Sequence, residues 1–139
     1  SDIGDKMSEF DNKNKDMDCF LTMKKWMENR NKGKTFVEYF KEYGYKSIGI
    51  YGAGDLGRLL YDEIKDSDIE IKYFVDRNGE GLRAIDDIPV ILLKDVIHQE
   101  KVDVLIVTPV GNYEAICKDI VRNIPELCTM SLKDAVFEF

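Results

Sequence analysis

Histidine is almost missing from this chain: His98 is the only one in 139 residues. A His-based triad or a histidine metal cluster therefore has no second member, and His98, in a polar stretch, reads as a surface residue. Cysteine is scarce too. Cys19, Cys117 and Cys128 lie far apart, and no pair has the spacing of a zinc site or a redox CxxC. They read as small buried thiols in a reducing compartment. No apolar run approaches the ~20 residues of a membrane helix, so membrane insertion is not expected. The amino terminus has no charged-then-apolar leader pattern, and the cytoplasm is the expected location. Excess positive charge is also lacking. The net charge is −7, which argues against nucleic acid as a partner.

What charge there is falls unevenly. Residues 1–18 hold six acids and three lysines, and residues 19–46 hold seven bases and three acids. Residues 47–139 hold ten bases and eighteen acids. The basic middle segment could dock on the acidic remainder or on a partner, or form a solvated helix face. The organisation expected is a flexible tail over 1–18, a helical segment over 19–44 and a nucleotide-binding domain over 45–139. The first residue, Ser1, is not a methionine, which leaves processing or excision from a longer protein open.

In the helical segment, Cys19, Phe20, Met23, Trp26 and Met27 recur at three- and four-residue spacings, which predicts one apolar helix face. "TFVE" then offers a capping box through Thr35 and Glu38. Phe36, Tyr39, Phe40 and Tyr43 form an aromatic stripe that should pack on the following domain. An exposed stripe would instead make a homodimer interface of the N-terminal helices.

After Gly44 the period changes. "KSIGIYG", "IEIKYFVD", "IPVIL", "VDVLIVTP" and "LCTMS" read as strands. They alternate with helices at "LGRLLYDEIKDS" (Leu56, Leu59, Leu60 and Ile64 inward), "LKDVIHQE" and "YEAICKDIVRNI". "RNGEGLRAIDD" reads as a loop. Asn112 should cap the third of these helices, and Ser131 with Asp134 a last short one. Alternation of this kind implies an α/β fold: a doubly wound, Rossmann-like parallel sheet of about five strands, preceded by two helices.

The turn between the first strand and its helix reads Gly52-Ala53-Gly54-Asp55-Leu56-Gly57, a GxGxxG pattern in the context that gives it meaning. Gly52 permits a tight turn, Gly54 lets backbone approach a pyrophosphate, and Gly57 lets helix and strand pack closely. The helix N-terminus offers free N–H groups to a phosphate. Asp76 ends the next strand, 19 residues after Gly57, where an acid accepts hydrogen bonds from ribose hydroxyls. That acid favours NAD; the adjacent Arg77 could instead accommodate the 2′-phosphate of NADP. CoA and nucleotide sugars remain alternatives. Asp55 would sit near any phosphate, and Arg58 could offset its charge. The far half of the site should come from the fourth strand's end, at Thr108, Pro109, Val110, Gly111 and Asn112. The bland alternative is a tight turn that holds nothing.

Residues able to do chemistry are harder to find. Tyr61 and Lys65 have a YxxxK spacing but lie on the helix directly after the glycine turn, so they read as a surface pair. Asp62 and Glu63 are adjacent, hence on different faces, and Asp86 and Asp87 read as loop caps. Catalysis, if it occurs, needs another domain or chain.

"GAGDLG", "YFVD" and "VDVLIVTP" together resemble Rossmann-fold NAD(P)-binding domains. "DVLIVTPVGNYEAI" looks like the N-terminal domain of Gfo/Idh/MocA oxidoreductases, although Tyr113 stands where that family usually has His and its Glu-Lys-Pro motif is absent. The stretch from "KGKTFVEYF" to "YFVDRN" is similar to the CoA-binding-like or nucleotide-sugar modules of bacterial polysaccharide biosynthesis proteins. That resemblance implies a nucleotide-containing ligand, a partner enzyme of glycan biosynthesis and an accessory role. An oxidoreductase or epimerase fragment, or a ligand-free interaction module, are the alternatives.

Overall fold

The computed structural model describes residues 2–77 and 83–139, with side chains from residue 13 onward. The elements in chain order are α1 (Asp2–Asn31), α2 (Phe36–Glu42), β1 (Ser47–Tyr51), α3 (Asp55–Ile64) and β2 (Glu70–Val75). Then come β3 (Ala84–Ile85), β4 (Ile88–Ile91), a 3₁₀ turn (Leu93–His98), β5 (Val104–Val107), α4 (Tyr113–Asn123), β6 (Thr129–Ser131) and α5 (Leu132–Glu138). The fold is mixed α/β. Its six-stranded sheet has the order β3-β4-β2-β1-β5-β6. Every neighbouring pair is parallel except β3 with β4.

The sixth strand is β3, inside the stretch read as a loop; residues 78–82 of that stretch lie outside the described ones. Asp86 (φ 47°) and Asp87 (φ 69°) form the two-residue link from β3 to β4. Two positive φ values are what a tight hairpin of right-handed twist requires, and Asp tolerates them better than most residues. Without a glycine in the pair, the hairpin left little trace in the sequence.

Side chains alternate across the strands. Ile48, Ile50, Phe74, Val104 and Ile106 join one buried cluster with residues of α1, α2, α3 and α5. Tyr73, Val75, Leu105 and Val107 join another with Val96 of the 3₁₀ turn and Ile116 and Ile120 of α4. The central strands are buried on both faces, which explains their near-continuous apolar runs.

Several expectations change here. The helix expected from about Asp18 runs back to Asp2, through the stretch read as a tail. Once nucleated, a helix adds a hydrogen bond for each further residue it orders, and no proline interrupts this one. Its inward face is rotated from the predicted one: Trp26 is buried and Cys19 packs against the core as expected, but the other three predicted residues face out. Thr22, Trp26 and Asn29 are buried, whereas Phe20 and Met27 are 60% and 66% exposed and Met23 is exposed as well. Polar pairing decides the rotation. The Asn29 side-chain amide donates to the Val136 carbonyl at 2.8 Å, and Trp26 Nε1 donates to Glu63 at 3.0 Å.

Glu63 is the joint of the helical layer. Its side chain is 3% exposed; it also accepts the Phe36 N–H at 2.8 Å and pairs with Arg30 Nε at 3.2 Å. The basic segment thus docks on the acidic remainder through a carboxylate that spacing alone did not single out. The α2 stripe behaves as core at Phe36, Tyr39 and Phe40, while Tyr43 stays half exposed and donates to Glu138. Thr35 caps α2 by accepting the Glu38 N–H, and Ser131 caps α5 by accepting the Asp134 N–H.

Leu59 is 42% exposed rather than inward, because Leu56, Leu60 and Ile64 already fill the buried face of α3. Tyr61 is not a surface residue. It is buried, and its hydroxyl donates to Asp86 at 2.9 Å. Nor are the cysteines buried thiols: Cys19 and Cys117 are half-buried and Cys128 is exposed. Among the described residues no helix is long and apolar enough to cross a membrane.

Candidate functional site

The carboxyl ends of β1, β2 and β5 lie side by side, and two cavities open there. One, of about 270 Å³, is lined by Tyr51, Gly52, Val75, Asp76, Arg77, Pro109, Gly111, Asn112 and Ile116. The other, of about 310 Å³, is lined by Gly52, Gly54, Asp55, Leu56, Gly57, Asp76, Thr108 and Pro109. They share Gly52, Asp76 and Pro109, so they are two ends of one cleft. Of the candidate site residues, Gly52, Gly54, Asp55, Leu56, Gly57, Asp76, Arg77, Thr108, Pro109, Gly111 and Asn112 line it. Ala53 is the buried link between two that do, and Val110 packs against the core instead.

The three glycines do different work. Gly52 has φ +102°, and a Cβ there would sit 2.5 Å from Thr108 Oγ1. A Cβ on Gly57 would lie 1.9 Å from the Gly52 carbonyl oxygen, inside any contact distance. Both are demanded by the turn and by the approach of α3 to β1, whatever the cleft holds. Gly54 is different. Its φ of −86° and ψ of −160° suit any residue, and a Cβ there would meet nothing within 4 Å. It is exposed, at the N-cap of α3, and it lines the cleft.

The turn is fastened from three sides. Gly52 N–H donates to Val75 O at 2.7 Å, and Ala53 N–H donates to Asp76 Oδ2 at 2.8 Å. The Thr108 hydroxyl donates to Tyr51 O at 2.7 Å. Asp76, read from the sequence as a ribose acceptor, thus also anchors the glycine turn through one carboxylate oxygen. Thr108 is 3% exposed with its hydroxyl committed to β1, and the Leu56 side chain packs in the core. These two form the floor of the cleft, while Gly54, Asp55, Arg77 and Pro109 form its rim. Arg58 Nε donates to Ala53 O at 3.1 Å, which turns that side chain back onto the loop.

On the far side, Asn112 occupies the N-cap position of α4 but makes no capping bond. Its backbone is left-handed (φ 61°), whereas a capping side chain works from an extended backbone. The far turn therefore contributes shape and backbone more than the expected Asn cap.

A larger cavity, of about 690 Å³, lies between α1 and α3, lined by Met23, Trp26, Met27, Arg30, Asn31, Leu59 and Asp62. It is an apolar groove, away from the strand ends. Among the described residues no group of three or more His, Cys, Asp or Glu is arranged to hold a metal ion.

No curated protein and no solved structure matches the chain. One family does: residues 44–126 match the family described as C2185-like, N-terminal. That match runs from the end of α2 to just beyond α4 and takes in both cleft-forming turns. Since it spans more than half of the 139 residues, the chain belongs to the C2185-like, N-terminal family.

Proposed function

We propose that this is a Rossmann-like, doubly wound module that binds a nucleotide-containing ligand in the cleft over β1, β2 and β5. Gly54 carries the reading. Of the three glycines it is the one that neither the turn nor the packing requires, and it lines the cleft at the start of a helix with open space at its Cβ position. A residue without a side chain at that point leaves room for a diphosphate to approach the backbone, where α3 offers N–H groups and the positive end of its dipole. Parallel strands with ligand loops at their carboxyl ends, around a point where the strand order reverses, supply the expected setting. NAD(H), a nucleotide sugar or CoA are the ligands this reading expects. The resemblance to modules of polysaccharide biosynthesis makes an accessory role beside a sugar-modifying enzyme the matching context.

Thermal melting against NAD, NADH, NADP, CoA, UDP-sugars and AMP tests this, with wild type and Gly54→Val. A ligand at ~100 times its Kd adds ~2.7 kcal/mol of stability. The expected result is a rise in Tm with one of them that disappears in Gly54→Val, while the unliganded variant still melts cooperatively. No rise with any of them would overturn the reading.

One observation favours a second reading, an interaction module with an empty cleft. Met17, Phe20, Leu21, Met23 and Met27 are all more than 40% exposed along α1, which is the surface a homodimer of N-terminal helices would use. A concentration-dependent dimer that is lost in Phe20→Glu, with no ligand response, is the result that reading expects.

A further inference from the structure

A phosphate in this cleft meets two carboxylates, Asp55 and Asp76, and needs cations against them. Arg58 is turned onto the loop's own carbonyl, and Arg77 lines the cleft at the end of β2. Another cation arrives from outside the sheet. The Lys15 stem of α1 lies across the β5–α4 turn. A Cβ on Gly111 would stand 3.2, 3.3 and 3.0 Å from Lys15 Cγ, Cδ and Cε. Gly111 lines the same cavity as Gly52, Asp76 and Arg77. The ammonium is one further bond, about 1.5 Å, beyond Cε.

This placement is built rather than incidental. Lys15, Asp18, Thr22, Trp26 and Asn29 follow three- and four-residue steps, one stripe of the helix. Four of the five hold α1 down or lie against the body. Asp18 pairs with Lys133 at 3.4 Å, Trp26 donates to Glu63, Asn29 donates to Val136 O, and Thr22 is fully buried. Lys15 is the next step of that stripe, and its stem lies against Gly111 at the margin of the cleft. The missing Cβ at Gly111 leaves the space its stem occupies.

We propose that Lys15, carried by α1, pairs with the phosphate of the ligand, so that the N-terminal helix completes a site whose other parts belong to the sheet. The proposal rests on the nucleotide-binding reading above. Isothermal titration of NAD, CoA, UDP-glucose and AMP into wild type, Lys15→Ala and Lys15→Arg at two salt concentrations tests it. For whichever of the four wild type binds, Lys15→Ala should weaken Kd about tenfold, as the loss of one charge-assisted contact does. It should also flatten the salt dependence. Lys15→Arg should stay within about threefold of wild type, and the unliganded Tm should not move in either variant. Tight wild-type binding that Lys15→Ala leaves unchanged would overturn the role of Lys15 and leave the glycine-turn reading standing. Equal losses in Lys15→Ala and Lys15→Arg with a lowered Tm would make Lys15 a structural residue. Wild type that binds none of the four, and shows no rise in Tm with the wider panel above, would remove both proposals together.

Discussion

Two strand-to-helix turns face each other across the cleft, and they are held by opposite means. The β1–α3 turn is forced from within. Two of its glycines sit where no Cβ fits, and Val75 and Asp76 of the neighbouring strand take up its N–H groups. The β5–α4 turn carries no such constraint. Its Asn112 is left-handed without being glycine, its helix has no side-chain cap, and a lysine from the middle of α1 lies against its Gly111. One turn is a rigid half-site built by local sterics, and the other takes its surroundings from the tertiary structure. The cleft between them therefore has one wall fixed by sterics and one wall set by its tertiary neighbours.

The sharpest way to break the first turn is Gly57→Ala. With the Gly52 carbonyl 1.9 Å from the new Cβ, α3 must move off β1, and a loss of about 3 kcal/mol or more is expected. Urea denaturation measures it. Gly54→Ser in the same assay should stay within about 0.5 kcal/mol of wild type, because Ser is a good N-cap and the position is open. Equal losses at both positions would erase the distinction between structural and ligand-facing glycines.

Thr108→Val joins the two turns less drastically. It removes the hydroxyl that ties β5 to Tyr51 O, and about 1 kcal/mol of stability should go with that bond. A loss several times larger would mean that the β5–α4 turn is as rigidly held as its partner.

The amino ends of β1 and β5, opposite the cleft, offer a pH test. Asp103 accepts the Lys46 and Ser47 N–H groups at 2.7 and 3.1 Å, and those bonds hold its carboxyl below the ordinary 3.8. The stability this contributes is present above 3.8 and is lost as pH falls through the lowered folded value. Asp103→Asn should therefore flatten the decline in stability below pH 4 while leaving ligand affinity at the cleft unchanged. An unaltered acid limb would show that Asp103 is not among the groups responsible. Glu100 and Glu138, also lowered by their partners, share that limb.

The smallest effect is expected at Asn112. Glycine there relieves a left-handed non-glycine residue and should raise stability by at most about 1 kcal/mol. A marked loss would reveal a side-chain role for Asn112 that the capping geometry does not account for.

Much of this molecule was legible from local rules. The five parallel strands, the α2 and α5 caps and the jobs of Gly52 and Gly57 follow from periodicity, hydroxyl placement and the space a Cβ needs. These are short-range effects, set by residues within a few positions of one another. The β3 hairpin escaped because Asp86 and Asp87 adopt its turn without a glycine to mark it. The inward face of α1 was only half legible because apolar spacing found Trp26 and Cys19, while the burial of Asn29 depends on Val136, far along the chain.

Most of the turns and the buried strands follow from local rules, since steric exclusion and side-chain alternation act between near neighbours. Which of the three glycines the fold leaves unexplained, the hold of Asp76 on the glycine turn, and the place of Lys15 against Gly111 emerge in three dimensions. Each of those depends on atoms brought together from distant positions, and no spacing rule in the sequence measures that distance.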